Sequence, residues 1–219
     1  AALSAWATVL PGASASEDYA HDEMTEYGAF APDALALCES AGGVAKVLGY
    51  CARKNIAVTP RGAGTGLCGG AVPIHGGVVL SLERMNRILE IDENTMTATV
   101  EPGELLSDFI REVEARGLFY PPDPGEKTAT LGGNAMTNAG GMRAVRYGVT
   151  RDYVLGMQVA LPSGELLDLG GKVVKTSSGY SLLSLLVGSE GTLGIVTKLI
   201  LKLLPMPRAN VSVLAPFDD

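Results

Sequence analysis

Several residue types that would narrow the function are scarce in this sequence. Two histidines, three cysteines and one tryptophan occur among 219 residues, and aromatic residues make up 5% of the chain. The cysteines form neither an even set nor a Cys-x-x-Cys pair, which argues against a disulfide framework and against a zinc site. Unpaired cysteines favour a reducing compartment, and we therefore expect a cytoplasmic protein.

Positive charge and long apolar runs are lacking as well. The chain carries 17 basic and 24 acidic residues, a net charge of −7, which argues against nucleic acid or an anionic membrane surface as its main partner. No apolar run reaches the roughly 18 residues of a membrane span. The first 16 residues have no basic n-region of a signal peptide, and we interpret them as the first helix of a lead-in.

Glycine, in contrast, is abundant. The chain contains 28 glycines, about twice the roughly 7% of ordinary proteins. Glycine permits positive φ angles and close approach of the backbone to a bulky group. With 47% hydrophobic residues to build a core, this composition is typical of a globular protein with a binding site lined by backbone.

Hydrophobic periodicity predicts alternating helices and strands in an α+β fold. Helices are predicted at residues 44–54, 105–113 and 181–187. Strands are predicted at residues 56–59, 78–82, 88–91, 96–100, 154–161, 165–169 and 194–204. This pattern divides the chain into a helical lead-in (1–31), a first α/β subdomain (32–95), a second subdomain with an antiparallel sheet (96–207) and the start of a linker (208–219).

A first glycine run, Pro-Arg-Gly-Ala-Gly-Thr-Gly-Leu-Cys-Gly-Gly, occupies residues 60–70. Its residues 64–69 match the G-x-G-x-x-G fingerprint of Rossmann domains, but further glycines and Pro73 follow where that fold requires a helix. No Lys-Ser or Lys-Thr pair follows either, which excludes a P-loop. The alternatives are a tight turn between strands and an anion-binding nest of loop N–H groups to which Arg61 adds a charge.

Two more glycine runs follow. The run at residues 130–141 mixes glycine with Asn and Thr, so that a flat ring could lie against it, although a surface loop explains the same spacing equally well. The run at residues 188–197 leads into the last predicted strand and has no chemical signature of its own.

The three glycine runs together resemble a known family, and the resemblance includes four separated segments in order along the chain. They are residues 81–86 (Ser-Leu-Glu-Arg-Met-Asn), 120–124 (Tyr-Pro-Pro-Asp-Pro), 146–148 (Arg-Tyr-Gly) and 188–195 (Gly-Ser-Glu-Gly-Thr-Leu-Gly-Ile). Over residues 32–207 the chain resembles FAD-linked oxidases with an FAD-binding domain of the vanillyl-alcohol oxidase and p-cresol methylhydroxylase (PCMH) type. Within that family it is most similar to the branch that contains the FAD-linked subunit of glycolate oxidase and the D-lactate dehydrogenases.

The resemblance implies FAD as cofactor and assigns it three contact regions. Residues 60–66 would hold the pyrophosphate, residues 123–130 and 137–141 the isoalloxazine and ribitol, and residues 190–196 the adenosine. The implied contacts are Pro60, Arg61, Gly62, Ala63, Gly64, Thr65, Gly66, Pro122, Asp123, Thr130, Gly133, Asn134, Thr137, Asn138, Ala139, Gly140, Gly141, Glu190, Gly191, Gly194, Ile195 and Val196.

Two positions depart from the family pattern. Covalent relatives have a histidine where this chain has Thr65, so the resemblance implies noncovalent FAD. Cys68 stands where serine is common, and we expect a small buried neighbour rather than a nucleophile.

The implied reaction is oxidation of a small 2-hydroxy acid, such as glycolate or D-lactate, by hydride transfer to FAD. The alternatives are a noncatalytic electron-transfer subunit within a complex, and the FAD domain of a sugar or alditol oxidase or of an ether-lipid synthase. The prolines at 205 and 207 predict an exit towards a C-terminal cap domain, which in this family supplies the catalytic base and metal-binding histidines.

No catalytic base or metal ligand is assigned within this chain. His21 and His75 are isolated, and a lone histidine without an orienting carboxylate is typical of a loop. Arg143, Arg146 and Arg151 are predicted to form structural ion pairs, with recognition of a substrate carboxylate as the alternative.

Overall fold

The computed structural model describes residues 2–209, 211 and 213–217. Positions 1, 210, 212, 218 and 219, which belong to the predicted lead-in and linker, lie outside the described residues. The helices and strands in chain order are β1 (Thr8–Pro11), β2 (Ala34–Leu37), α1 (Ala41–Arg53), β3 (Val58–Arg61), β4 (Val78–Ser81), β5 (Ile88–Asp92), β6 (Thr97–Val100), α2 (Leu106–Glu114), β7 (Leu118–Phe119), α3 (Leu131–Thr137), α4 (Ala144–Tyr147), β8 (Val154–Ala160), β9 (Leu166–Gly170), α5 (Leu182–Leu186), β10 (Ile195–Lys202) and β11 (Leu204–Pro205).

The first sheet has the strand order β1-β2-β4-β3. Strands β2 and β3 both run parallel to β4, and β1 is an antiparallel edge strand. Every residue of β4 is buried, because α1 covers one face of the sheet while Leu10, Ala15 and Tyr19 pack against the other. This double burial explains why β4 is a continuous apolar run rather than an alternating one.

The second sheet is antiparallel throughout, with the strand order β5-β6-β10-β8-β9. Helix α2 packs on it through Leu106, Phe109 and Val113, which are completely buried. Their spacing of three and four residues places them on one face of the helix. The largest hydrophobic core of the protein therefore lies between this sheet and α2 and α3.

The border between the two sheets differs from the predicted subdomain boundary at residue 95. Strand β5 pairs with β6 in the second sheet, so the chain passes from one sheet to the other between Ser81 and Ile88. The physical reason is the short connection between the two strands, since a hairpin with a tight turn keeps both strands in one sheet.

The lead-in was predicted to be helical, but it contains no α-helix among the described residues. Residues 2–31 contain four short 3-10 turns and strand β1, whose Thr8 is paired with Leu37 of β2. Pro11 and Gly12 directly interrupt the apolar stretch, and both residues disfavour a continuing helix. The apolar residues Val9 and Leu10 are instead partly buried in a strand that is added to the first sheet.

Helix α1 connects the two sheets. Ser40 caps it by accepting a hydrogen bond from the Gly43 N–H (3.2 Å), and its buried face packs against Ala160 of β8 and Ile195 of β10. Gly49 lies on this face, where a Cβ would come within 2.9 Å of the Gly164 Cα in the β8–β9 turn. The helix and the second sheet therefore approach each other as closely as the backbone permits.

We predict opposite effects for two glycine-to-alanine substitutions within α1. Gly49→Ala should lower the free energy of unfolding by about 1–3 kcal/mol, because the Gly164 backbone must move to make room. Gly42→Ala would place its Cβ more than 4 Å from every described neighbour, and it should instead raise the free energy of unfolding by about 0.5 kcal/mol through helix propensity. Urea unfolding of both variants tests this, and equal effects would contradict the close approach.

Candidate functional site

A cleft of about 370 Å³ lies beside the first glycine run, within the range of small-molecule sites. Its walls come from the segment that follows β3, from α3 and from the start of β10. The structure brings together in its lining the predicted residues Pro60, Arg61, Gly62, Ala63, Gly64, Thr65, Gly66, Thr130, Gly133, Asn134, Thr137, Ala139, Glu190, Gly191, Gly194, Ile195 and Val196.

The glycine loop, residues 62–71, forms one wall. The described chain has neither helix nor strand from the end of β3 to the start of β4, so a Rossmann turn is excluded. Among the described residues, the only N–H group of the glycine loop with a protein acceptor is that of Gly69. The other N–H groups of the loop therefore have no acceptor within the described chain, which is a condition for binding an anion in a backbone nest.

Arg61, at the end of β3, lies under the glycine loop. Its side chain is 6% exposed, and its Nη1 donates to the carbonyl oxygens of His21 (2.7 Å) and Ala71 (3.4 Å). The guanidinium lies 5.5 Å from the centre of the Tyr19 ring, in cation–π geometry. Burial lowers the pKa of Arg61 below its ordinary value, while Tyr19 and Asp22 act in the opposite direction.

The second glycine run forms a helix rather than the surface loop that the sequence left open. Thr130 caps α3 by accepting from the Gly133 N–H (3.2 Å), and the Gly132 N–H donates to Pro102 O (2.8 Å). A Cβ on Gly62 would collide with Thr130 Oγ1. Glycine at 62 therefore allows the first and second runs to touch across one end of the cleft.

Asn134 of α3 offers an unused donor at the cleft wall. Its side chain is 4% exposed, and its Nδ2 has no hydrogen-bond partner among the described residues. A buried amide without a partner costs free energy, so this position suits a group that brings an acceptor.

The third glycine run packs directly against the first. Gly191 has a φ of +77°, and a Cβ there would come within 2.6 Å of Pro60 Cγ. The neighbouring Glu190 also has a positive φ, +54°, and its N–H donates to Met136 O of α3 (2.9 Å). These contacts place the start of β10 in the wall of the cleft. The sequence of the third run alone did not indicate this position.

Five predicted contacts do not line the cleft: Pro122, Asp123, Asn138, Gly140 and Gly141. Asp123 is paired with Lys127 and with Arg143 (3.6 Å); burial would raise its pKa, but these two cations lower it overall. Asn138 ends α3 with a φ of +50°, and its Oδ1 accepts from the Arg151 N–H (2.9 Å). The side chains of Asp123 and Asn138 are thus engaged in contacts within the protein. The structural ion pair predicted for Arg143 is present.

Several residues of the cleft were not predicted from the sequence. They are Leu67, Cys68, Gly70, Ala71, Leu82, Pro102, Pro124, Glu126, Ala129, Gly132 and Met136. Most are immediate neighbours of predicted contacts, whereas Leu82 and Pro102 reach the cleft only through the fold. Cys68 is exposed, not buried as expected, because the glycine loop turns its side chain away from the core.

The charges around the cleft are unusual for a phosphate site. Arg61 is the single cation in the described lining, against the carboxylates of Glu126 and Glu190. Side-chain charge alone would not attract a diphosphate here, so an anion in this cleft would depend on backbone N–H groups for most of its attraction. Within the described residues no group of three His, Cys, Asp or Glu side chains is arranged to hold a metal ion.

The sequence profile of the family described as "FAD binding domain" matches residues 32–170. This chain belongs to that family. The predicted family, its PCMH-type α+β fold and FAD as its cofactor are thereby confirmed. Among the described residues, no helix has the length and apolar character needed to cross a membrane.

Two curated relatives are similar over most of the chain. D-lactate dehydrogenase of Anaerostipes hadrus is 54% identical over 211 residues, which are 96% of this chain and 44% of the relative. Glycolate oxidase subunit GlcD of Bacillus subtilis is 48% identical over 202 residues, 92% of this chain and 43% of the relative. The chain thus spans less than half the length of these relatives.

Solved structures share the same fold. 6-Hydroxy-D-nicotine oxidase from Arthrobacter nicotinovorans is 25% identical, with a TM-score of 0.78 over 92% of this chain and 43% of that one. An alkyldihydroxyacetonephosphate synthase is 27% identical, with a TM-score of 0.72 over 82% of this chain and 35% of that one.

We predict that Glu104, which anchors α3, makes the stability of the protein depend on pH. Its carbonyl accepts from the Leu131 N–H (2.8 Å), and burial, followed by the charge of Asp108, raises the pKa of its buried carboxyl from 4.5 to about 7. The folded state therefore binds more protons than the unfolded state between these values, and the free energy of unfolding should fall as the pH rises through that window.

Glu104→Gln cannot ionise and should lack this part of the decrease. Urea unfolding of both proteins between about pH 4.5 and 7 measures the difference. Parallel stability curves for the two proteins would show that Glu104 ionises normally.

Proposed function

We propose that this chain binds FAD noncovalently in the cleft, and that the enzyme to which it contributes this domain oxidises a small 2-hydroxy acid. The observation that supports the binding proposal is that most N–H groups of the glycine loop, beside the cleft, have no acceptor among the described residues. Phosphate oxygens are strong acceptors, and FAD brings two phosphates that a loop of this kind can surround.

The proposed contacts follow the three walls of the cleft. The glycine loop with Pro60 and Arg61 would hold the pyrophosphate, α3 would hold the ribitol and isoalloxazine, and residues 190–196 the adenosine. Asn134 is the proposed donor to a flavin or ribitol oxygen, since its Nδ2 lacks a partner in the described structure. The five residues that do not line the cleft remain proposed contacts of the isoalloxazine and ribitol: Pro122, Asp123, Asn138, Gly140 and Gly141.

Thr65 supports noncovalent binding. It lines the cleft at the position where the family resemblance places a flavin-linking histidine in covalent relatives. A threonine hydroxyl is a far weaker nucleophile than an imidazole, so we expect no link to the flavin from this position.

The substrate class is proposed from the relatives named D-lactate dehydrogenase and glycolate oxidase subunit GlcD. When bound, FAD supplies the hydride acceptor. The chain's own residues bind and orient the cofactor, and the apolar walls of the cleft exclude water around it. We further propose that a cap domain supplies the base and the carboxylate partner, that partner subunits accept the electrons, and that the protein is cytoplasmic.

We predict that the purified protein, mixed with FAD, shows a flavin absorbance spectrum perturbed relative to free FAD. After acid precipitation the yellow pigment should appear in the supernatant, because no covalent bond retains it. Pigment in the pellet would contradict noncovalent binding, and a folded protein that leaves the FAD spectrum unchanged would contradict the binding proposal itself.

We predict that Gly64→Ala weakens FAD binding while a matched glycine variant does not. Gly64 has a φ of +78°, and a Cβ there would collide with the Arg61 guanidinium, which is fixed by His21 and Tyr19. The displaced loop should lose about tenfold in FAD affinity, the value of one hydrogen bond to a charged group.

Gly117→Ala is the control for the backbone strain of that substitution. Gly117 has a similar φ of +71°, lies outside the cleft and has nothing within 4 Å of its Cβ position. Both variants should lose stability, but only Gly64→Ala should lose FAD affinity in a fluorescence titration. An equal affinity for the two variants would show that the glycine loop does not hold the cofactor.

A further inference from the structure

A short segment of the lead-in lies behind the glycine loop. We call this segment, residues 21–23, the clasp. Asp22 Oδ2 accepts a hydrogen bond from the Gly69 N–H (2.8 Å), and the Glu23 N–H donates to Gly66 O (3.1 Å). The side chain of Arg61 also binds the clasp, because it donates to His21 O (2.7 Å). The clasp therefore holds the loop at two of its residues and also holds the arginine beneath it.

Asp22 determines which part of the glycine loop faces away from the cleft. Gly69 is the only residue between 60 and 71 that does not line the cleft, and its N–H is the only one of the loop with a protein acceptor in the described structure. The residues on either side of it, Cys68 and Gly70, both line the cleft. The loop is thus drawn back at the single point where the carboxylate binds it.

A glycine-rich loop needs such a fixed point. Glycine has the greatest backbone freedom of all residues, so ordering a loop of this composition costs more conformational entropy than ordering an ordinary one. A ligand that had to order the loop itself would bind correspondingly more weakly. A loop held in place before binding avoids that loss.

The carboxylate is an unexpected group at this place. Asp22 is 2% exposed, and its negative charge lies behind a loop that we propose to bind a diphosphate. Two hydrogen bonds satisfy it, from Gly69 and from the Met24 N–H (3.0 Å), and its charge acts favourably on the buried Arg61. The two N–H groups are bonded to different oxygens of the carboxylate, so an asparagine in the same place would present an acceptor to only one of them and its NH₂ group to the other.

We propose that Asp22 is a positioning residue that fixes the glycine loop in the shape that binds the FAD pyrophosphate. The proposal rests on the proposed function, because it assigns a role in the same cofactor site. Asp22 does not line the cleft, so it would act on the cofactor only through the position of the glycine loop.

The test measures FAD affinity by fluorescence titration for the unmodified protein, Asp22→Ala, Asp22→Asn and Asp33→Ala. Asp33 is the matched control, because its Oδ2 accepts from the N–H of Gly77, another glycine of positive φ, at 2.7 Å and outside the cleft. We expect Asp22→Ala to weaken FAD binding by about tenfold or more, and Asp33→Ala to leave it within about twofold.

Competition by ADP and adenosine separates positioning from general support of the cleft. ADP contains the pyrophosphate and adenosine does not, so Asp22→Ala should raise the inhibition constant of ADP as much as the dissociation constant of FAD. The inhibition constant of adenosine should change by less than about twofold, since no phosphate contact is lost. A parallel rise for both competitors would overturn the proposal.

The remaining outcomes are equally decisive. If Asp22→Ala does not fold, Asp22→Asn takes its place, and FAD affinity equal to that of Asp33→Ala would overturn the proposal. If the unmodified protein does not bind FAD, the proposed function fails. If the unmodified protein binds FAD and both Asp22 variants bind FAD with the same affinity as the unmodified protein, only the proposed role of Asp22 fails.

Discussion

The free backbone N–H groups of the glycine loop constrain the rest of this structure. A helix or a strand would use these donors for its own hydrogen bonds, so the segment between β3 and β4 can have neither. It has to remain a loop, and glycine at position 64, with its positive φ, permits the required turn. Since such a loop has no ladder of its own, its shape depends on what lies beside and behind it.

The parallel pairing of β3 with β4 holds the two ends of the segment between these strands, which contains the glycine loop. Strand β3 enters it and β4 leaves it, and both are fixed in the same sheet. The other two glycine runs then approach it so closely that glycine is required at the contacts, at Gly62 against Thr130 and at Gly191 against Pro60. These contacts fix the width of the cleft through backbone positions. Because α1 packs on both sheets, the two sides of the cleft are also held together through the core.

Local patterns predicted much of the fold and of the candidate site, and distant contacts decided the rest. Helix α1, the hairpins and the loop after β3 follow from periodicity and turn residues, which act over a few neighbours. The prediction for the lead-in was wrong because Val9 and Leu10 are partly buried in a strand that pairs with β2, more than twenty residues away. Helix α3 was not predicted, because its support comes from the carbonyls of Pro102 and Glu104 and not from its own glycine-rich sequence. The role of Asp22 could not be predicted from local sequence either. Its hydrogen bond to Gly69 joins residues 47 positions apart and forms only in the folded chain.

Charge composition misleads in this case for a physical reason. A net charge of −7 and a cleft with one cation against two carboxylates would argue against an anionic ligand if side chains supplied the attraction. Backbone dipoles do not appear in a count of charged residues, yet several N–H groups converging on one point attract an anion strongly. Their number and direction depend on which amides remain without acceptors. The anion affinity that we propose for this loop would therefore depend on the loop conformation, and whatever fixes that conformation would determine the affinity.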